Sequence, residues 1–283
     1  MAAELATADA PALDSSLPWH WADLDWRTLD APRAHDETLV ALIAAASFVE
    51  STTAVYTRNL VEHFGDQPEV RDWLDAHWRD EELQHGAALR AFVCRAWPDF
   101  DWPAAYADFR ADYLQRCTMD ELNPDPVLEL VARCVVETGT ATLYRALREL
   151  ALERDEPLLA DLAGRIMRDE VRHFRHFYRF FERRIAVEPR SRLACLRVIA
   201  ARAAEVRDDD AACALRHVHA HRQARQPGDR GFAALRERGA HLLRSRYAFD
   251  MAVRMAIKPL ALPERIGAAI ERPAVWLMRR LMH

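Results

Sequence analysis

Glycine is scarce in this chain, at 8 of 283 residues, well under the roughly 7% usual in globular proteins. Neither common glycine-rich phosphate-binding pattern occurs. A dinucleotide fold, a P-loop and a turn-dense β-sandwich are therefore excluded. The cysteines are few and unpaired in spacing: Cys94, Cys117, Cys134, Cys195 and Cys213 form no CxxC and are odd in number. This rules out a disulfide framework, a zinc ribbon and a rubredoxin-like module, and fits reduced, mostly buried thiols. Long apolar runs are missing too. Leu39 to Val49 is the longest, well short of the ~18 residues a membrane-spanning helix needs. The N-terminus is acidic and alanine-rich, without the basic-then-apolar order of a signal peptide, so a cytoplasmic protein is expected. Lysine occurs once, as Lys258, among 39 basic residues.

What is present is apolar and helical. Hydrophobic residues make up 51% and charged residues 29%, enough for a real core and not the composition of a disordered chain. The net charge of -5 conceals a split. Residues 190–283 carry 19 basic and 9 acidic groups, leaving 20 basic and 35 acidic groups in 1–189. Four long amphipathic stretches are read, at about 36–64, 69–97, 123–154 and 156–186. Residues 101–120 connect the middle two. Long helices joined pairwise, with one long central connection, predict an all-α four-helix bundle with a crossover. The expected domains are an arm at 1–34, disordered at its tip and pinned by Trp19, Trp21 and Trp26; the bundle at 35–188; and a basic region at 189–283. That region is read as shorter helices broken at Pro227-Gly228, Pro259, Pro263 and Pro273.

An internal repeat carries the chemistry. Val49-Glu50-Ser51-Thr52-Thr53-Ala54-Val55-Tyr56 is echoed by Val136-Glu137-Thr138-Gly139-Thr140-Ala141-Thr142-Leu143-Tyr144, and Arg79-Asp80-Glu81-Glu82-Leu83-Gln84-His85 by Arg168-Asp169-Glu170-Val171-Arg172-His173. Glu50 precedes Glu82 by 32 residues and Glu137 precedes Glu170 by 33. The bundle thus reads as two copies of one helix pair. Each ExxH places a carboxylate and an imidazole on one helix face, within reach of one ion. Glu50, Glu82, His85, Glu137, Glu170 and His173 make four carboxylates and two imidazoles, the inward-facing set of di-iron carboxylate bundles. Mixed N/O donors suit iron or manganese better than thiolate-seeking zinc. With 20 Glu and 12 His in the chain, chance yields about one ExxH. Two in mirrored register, each behind a helical Glu at matching distance, exceed that.

With these residues in view, the stretch at about 36–186 resembles the ferritin-like di-iron carboxylate superfamily. Within it, the stretch is most similar to the soluble acyl-carrier-protein desaturases. Their ligand helices read as a Glu, then WxxxExxH, then ExxT, then DExRH. Here those are Glu50; Trp78, Glu82 and His85, with Gly86 following; Glu137 and Thr140; and Asp169, Glu170, Arg172 and His173. The resemblance implies two iron ions (a mixed Mn/Fe pair staying open), at least one bridging Glu, dioxygen as co-substrate, and a ferredoxin or reductase as electron donor. It implies a proton-relaying hydroxyl at Thr140, set against plain back-bonding to a helix carbonyl. It also implies that Asp169 holds the His85 ring and Glu81 the His173 ring in the orientation a metal needs.

The expected activity is O2-dependent desaturation of a carrier-bound acyl chain. Hydroxylation or N-oxygenation of a small metabolite by a di-iron monooxygenase stands as the alternative, and a non-catalytic iron-binding bundle as the second. The basic C-terminal residues Arg244, Arg246, Arg254, Lys258, Arg279 and Arg280 are candidates for docking an acidic acyl carrier protein. Weak contact with a membrane surface and an ordinary solvated face compete with that reading. A homodimer is open, and nucleic acid is not expected. Cys134 reads as a small buried residue. Tyr56 and Tyr144 read as packing groups. His217 and His221, at i and i+4, read as surface residues for want of a nearby acidic or cysteine partner.

Overall fold

The computed structural model describes residues 17–29, 35–205, 210–222 and 229–281. Disorder at the N-terminal tip and the break at Pro227-Gly228 lie outside them. The ferritin-like, all-α class with a helical C-terminal extension is the class observed, with no strand among the described residues. The helices are α1 (Glu37–Ser51), α2 (Thr53–His63), α3 (Pro68–Trp73), α4 (Arg79–Ala96), α5 (Trp102–Tyr113), α6 (Pro126–Glu153), α7 (Pro157–Val187), α8 (Arg192–Glu205), α9 (Asp210–Arg222), α10 (Asp229–Arg244), α11 (Phe249–Ala256) and α12 (Glu264–Leu281). Local chemistry sets their starts. Asp36, Asp101 and Asp125 accept from Leu39 N, Ala104 N and Val127 N, and Pro68, Pro126 and Pro157 open helices where no N–H is needed. Between α6 and α7, Asp155 adopts a left-handed φ of 55° and Glu156 N bonds back to Ala151 O, closing the α6 end as a glycine ordinarily would.

Two compact units emerge. One comprises the described residues to Glu121, Ala151–Leu162 and the described part of Asp208–Leu242; the other comprises Leu122–Leu150, the described part of Ala163–Arg207 and the described part of Leu243–His283. In the first unit, Phe48 of α1 meets Trp102 and Phe109 of α5 at ring-centroid distances of 5.4 and 5.5 Å. Trp102 Nε1 donates to Ser47 Oγ and Tyr106 OH to Ser51 O, so the connecting segment lies on α1. Trp21 N donates to Gln84 Oε1, and Arg95 stacks over Trp26, which seats the arm on α4. In the second unit, Leu130, Leu147, Phe177 and Phe181 are buried. Thr142 Oγ1 hydrogen-bonds Tyr247 OH, and Arg192 donates to Leu260 O and Ala261 O.

Three sequence expectations need correction. The stretch at 36–64 is not one helix: α1 and α2 meet at Thr52 with a 41° bend. There Thr52 Oγ1 takes Val49 O while Tyr106 takes Ser51 O, so two carbonyls are satisfied outside the helix ladder. The stretch at 69–97 contains a π turn at Leu74–Trp78, a wider coil that often marks functional helices. Pro273 does not break the chain but lies inside α12. Both it and Ala269, whose carbonyl it leaves without a helical donor, are exposed, so water can satisfy that oxygen. Among the described residues no single helix is long and apolar enough to cross a membrane; α1 and α2 pass that test only jointly, across their bend.

Candidate metal centre

Each unit contains one copy of the repeated pattern. In the first, α1 presents Glu50 and α4 presents Glu82 and His85, all buried. Their ligand atoms lie within 4.8 Å of one another. Gly86 explains the approach of the two helices. A β-carbon there would lie 2.9 Å from Ser51 N and 3.1 Å from the Glu50 carbonyl carbon, so only a residue without one lets α4 come this close to α1. Trp19 stacks on the His85 ring, with centroids 6.2 Å apart and planes 13° from parallel.

In the second unit, α6 presents Glu137 and α7 presents Glu170 and His173, again buried and within the same 4.8 Å limit. The copies agree in detail. His85 Nδ1 lies 3.8 Å from Glu82 Oε2, and His173 Nδ1 lies 3.8 Å from Glu170 Oε2 and 3.6 Å from Glu137 Oε2. These separations exceed a hydrogen bond. They fall inside the ~4.2 Å that two donors can span when each sits about 2.1 Å from one ion. Two carboxylates and one imidazole per triplet, out of water, form a hard, anionic donor set, and each triplet fits a divalent ion such as iron or manganese.

Thr140 Oγ1 lies 2.8 Å from Glu170 Oε2, nearer than to Val136 O at 3.3 Å or Glu137 O at 3.2 Å. Its shortest contact is thus with a carboxylate rather than with its own helix. Asp169 is buried and accepts from Arg172 Nη2 at 2.8 Å; Glu81 is buried on α4. Burial, reinforced by the Glu137 charge, pushes the Cys134 thiol well above its ordinary range, which keeps it a neutral packing group. Tyr144 is buried as well.

Sequence reasoning passed over two features. Glu129 and Arg133 form a buried ion pair at 2.7 Å, in line with Glu137 at i, i+4 and i+8 along α6. The signal was visible as charges at helical spacing in an otherwise apolar run. The reading of His217 and His221 as surface residues without partners is corrected. His217 Nε2 meets Asp112 Oδ2 and His221 Nε2 meets Asp108 Oδ2, because α5 supplies carboxylates from over 100 residues away. Among the basic C-terminal candidates, Arg254, Lys258, Arg279 and Arg280 are exposed. Lys258 lies over the Tyr178 ring, Arg279 over Phe249 and Arg280 over Trp276. Arg254 pairs with Glu271, and Arg246 donates to Ser245 Oγ. Arg244 is half-buried.

Comparison with known proteins gives two findings. DesA2 of Mycobacterium tuberculosis, provisionally named an acyl-(acyl-carrier-protein) desaturase, is 34% identical over 129 residues. The same figures hold for strain CDC 1551 / Oshkosh and strain ATCC 25618 / H37Rv. The aligned stretch covers 46% of this chain and 44% of each relative, so the match spans less than half the length of these proteins. The sequence profile of the fatty acid desaturase family matches residues 27–220, which takes in both helix pairs and most of the chain. On that ground the chain belongs to the fatty acid desaturase family.

Proposed function

We propose that this protein is an O2-dependent di-iron oxidase that desaturates a carrier-bound acyl chain. The observation that carries the reading is the doubled donor triplet, Glu50/Glu82/His85 and Glu137/Glu170/His173, buried and alike in spacing, within a chain of the desaturase family. When bound, two irons would supply dioxygen activation, with electrons from an external ferredoxin or reductase, for removing hydrogen from an unactivated C–H bond. The remaining work falls to the protein. The triplets hold their carboxylates out of water, where a metal ion is the natural counter-charge. Trp19 fixes the His85 ring plane. Thr140 holds a hydroxyl proton at Glu170 Oε2, from which it can be passed on or withheld. A dry, oriented surround also protects a strongly oxidising reaction from side chemistry. The name of DesA2 supports the choice of an acyl carrier protein as the substrate's carrier.

The test is single-turnover chemistry on protein loaded anaerobically with ferrous iron. A chemically reduced ferredoxin, an acyl-acyl carrier protein and oxygen are then added, and the acyl product is read by mass spectrometry. Loss of two hydrogens from the chain, with oxygen uptake dependent on the acyl substrate, is the expected result. Gain of an oxygen atom would instead make the protein a hydroxylase. Oxygen uptake with ferrous iron alone, and no change in the acyl chain, would reduce it to an iron-binding bundle.

A further inference from the structure

Away from the donor triplets, α5 and α9 bring a second set of metal-binding groups together. Asp112 of α5 faces Cys213 and His217 of α9, one helical turn apart on the same face. Their ligand atoms all lie within 4.8 Å of one another. Cys213 Sγ stands 3.4 Å from Asp112 Oδ2, and His217 Nε2 stands 3.2 Å from the same oxygen. A tetrahedral zinc ion bonds sulfur at about 2.3 Å and nitrogen or oxygen at about 2.0–2.2 Å. Such bonds place a sulfur and an oxygen ligand about 3.6 Å apart, and a nitrogen and an oxygen ligand about 3.4 Å apart. The observed separations fall within about 0.2 Å of both edges, the tolerance expected of a preformed site.

The surroundings fit as well. Phe109, itself buried, holds the His217 ring edge-on. Asp112 Oδ1 faces Arg116 Nη2 at 3.9 Å, leaving Oδ2 for an ion. The side chain of Cys213 is buried while those of Asp112 and His217 are 37% and 20% exposed. A fourth position is thereby open to water. One thiolate among the donors selects zinc or cobalt over the hard ions that suit the carboxylate triplets.

We propose that Asp112, Cys213 and His217 form a zinc site that clips α9 to α5. Binding expels the Cys213 thiol proton and joins two helices separated by about a hundred residues of chain, where a cross-link closes a long loop.

Cobalt(II), added alone to metal-free protein, separates this site from the triplets, because only a thiolate ligand gives a sulfur-to-cobalt charge-transfer band in the near ultraviolet. The band should reach the intensity of one thiolate-bound cobalt per chain, disappear on adding zinc, and survive in Glu137→Ala. It should be lost in Cys213→Ser. In His217→Ala, a change at a part-exposed ring that leaves the thiol in place, cobalt affinity should fall at least about tenfold. Circular dichroism establishes that each variant is folded. Absence of the band in the wild type, its persistence in Cys213→Ser, or an unchanged affinity in folded His217→Ala would overturn the proposal. None of these results bears on whether the triplets hold iron.

Discussion

Replacing Gly86 with alanine is the sharpest probe of how the first triplet is built. The new β-carbon would lie 2.8 Å from Ser51 Oγ and 2.9 Å from Ser51 N, where ordinary contact begins at 3.4 Å. Because one of these atoms is backbone, α1 and α4 must part by about 0.5 Å. Glu50 rides on the displaced segment. A metal site tolerates about 0.2 Å in its donor positions, so the shift is more than twice what the triplet can absorb. The energies decide how it appears. Overpacking costs about 1–3 kcal/mol and the gain in helix propensity returns about 1. Apo-protein stability should therefore drop by no more than about 2 kcal/mol, whereas metal affinity at this triplet should fall about tenfold or more. Anaerobic titration of apo-protein with ferrous iron, alongside a thermal melt, measures both. Gly164→Ala is the control. There the β-carbon would meet Arg148 Cδ at 3.3 Å, the outer part of a flexible side chain, so α7 should gain up to about 1 kcal/mol with metal binding untouched. Wild-type iron affinity and an unchanged melt in Gly86→Ala would refute the close-approach argument.

Thr140→Val should keep both metals but remove the hydroxyl 2.8 Å from Glu170. Substrate-coupled turnover should slow and peroxide release should rise; identical coupling in the variant would leave Thr140 a packing residue. Arg133→Met leaves the buried Glu129 carboxylate without its cation and should cost about 3–5 kcal/mol in denaturant unfolding of the apo-protein. The double change Glu129→Gln with Arg133→Met should recover most of that loss, and a loss below about 1 kcal/mol in the single variant would contradict the pairing. Asp125 offers a pH test. Burial pushes its carboxyl up, but Arg190 and the N–H groups of Val127 and Leu128 outweigh this and hold it below the usual range. A depressed folded pKa gives stability that is present above the unfolded value of about 3.9 and is lost as pH falls through the folded one. The stability gap between wild type and Asp125→Asn, whose amide still caps α6, should be constant near neutrality and shrink below about pH 4. A gap independent of pH would refute the assignment.

The parts of the fold that were legible in the sequence are those written locally. Helical periodicity located α6 and α7 to within a few residues, and Pro126 and Pro157 stand at their first positions. The repeat pointed to the six residues that the structure gathers into two buried triplets. What the sequence hid depends on distant partners. The bend at Thr52 needs Tyr106 to draw off Ser51 O from 55 residues away, and threonines of similar pattern in α6, Thr138 and Thr142, back-bond without breaking their helix. Pro273 misled because exposure, not sequence, decides whether a freed carbonyl is costly. The Asp112, Cys213 and His217 cluster was half visible, since Cys213 and His217 are one turn apart. Its carboxylate comes from a helix no local rule connects to α9.

The two copies of the helix pair share donors but differ in backbone. Glu50 lies two residues before the bend at Thr52, and Glu82 lies four residues after the π turn at Leu74–Trp78. Glu137, Glu170 and His173 sit inside uninterrupted helices of 28 and 31 residues. Interrupted hydrogen-bond ladders open at lower free energy than continuous ones. The duplicated scaffold has thus kept its donors while its two backbones have diverged: the ladder is interrupted beside Glu50 and Glu82 and runs on through Glu137, Glu170 and His173, so local opening should cost less in the first copy than in the second.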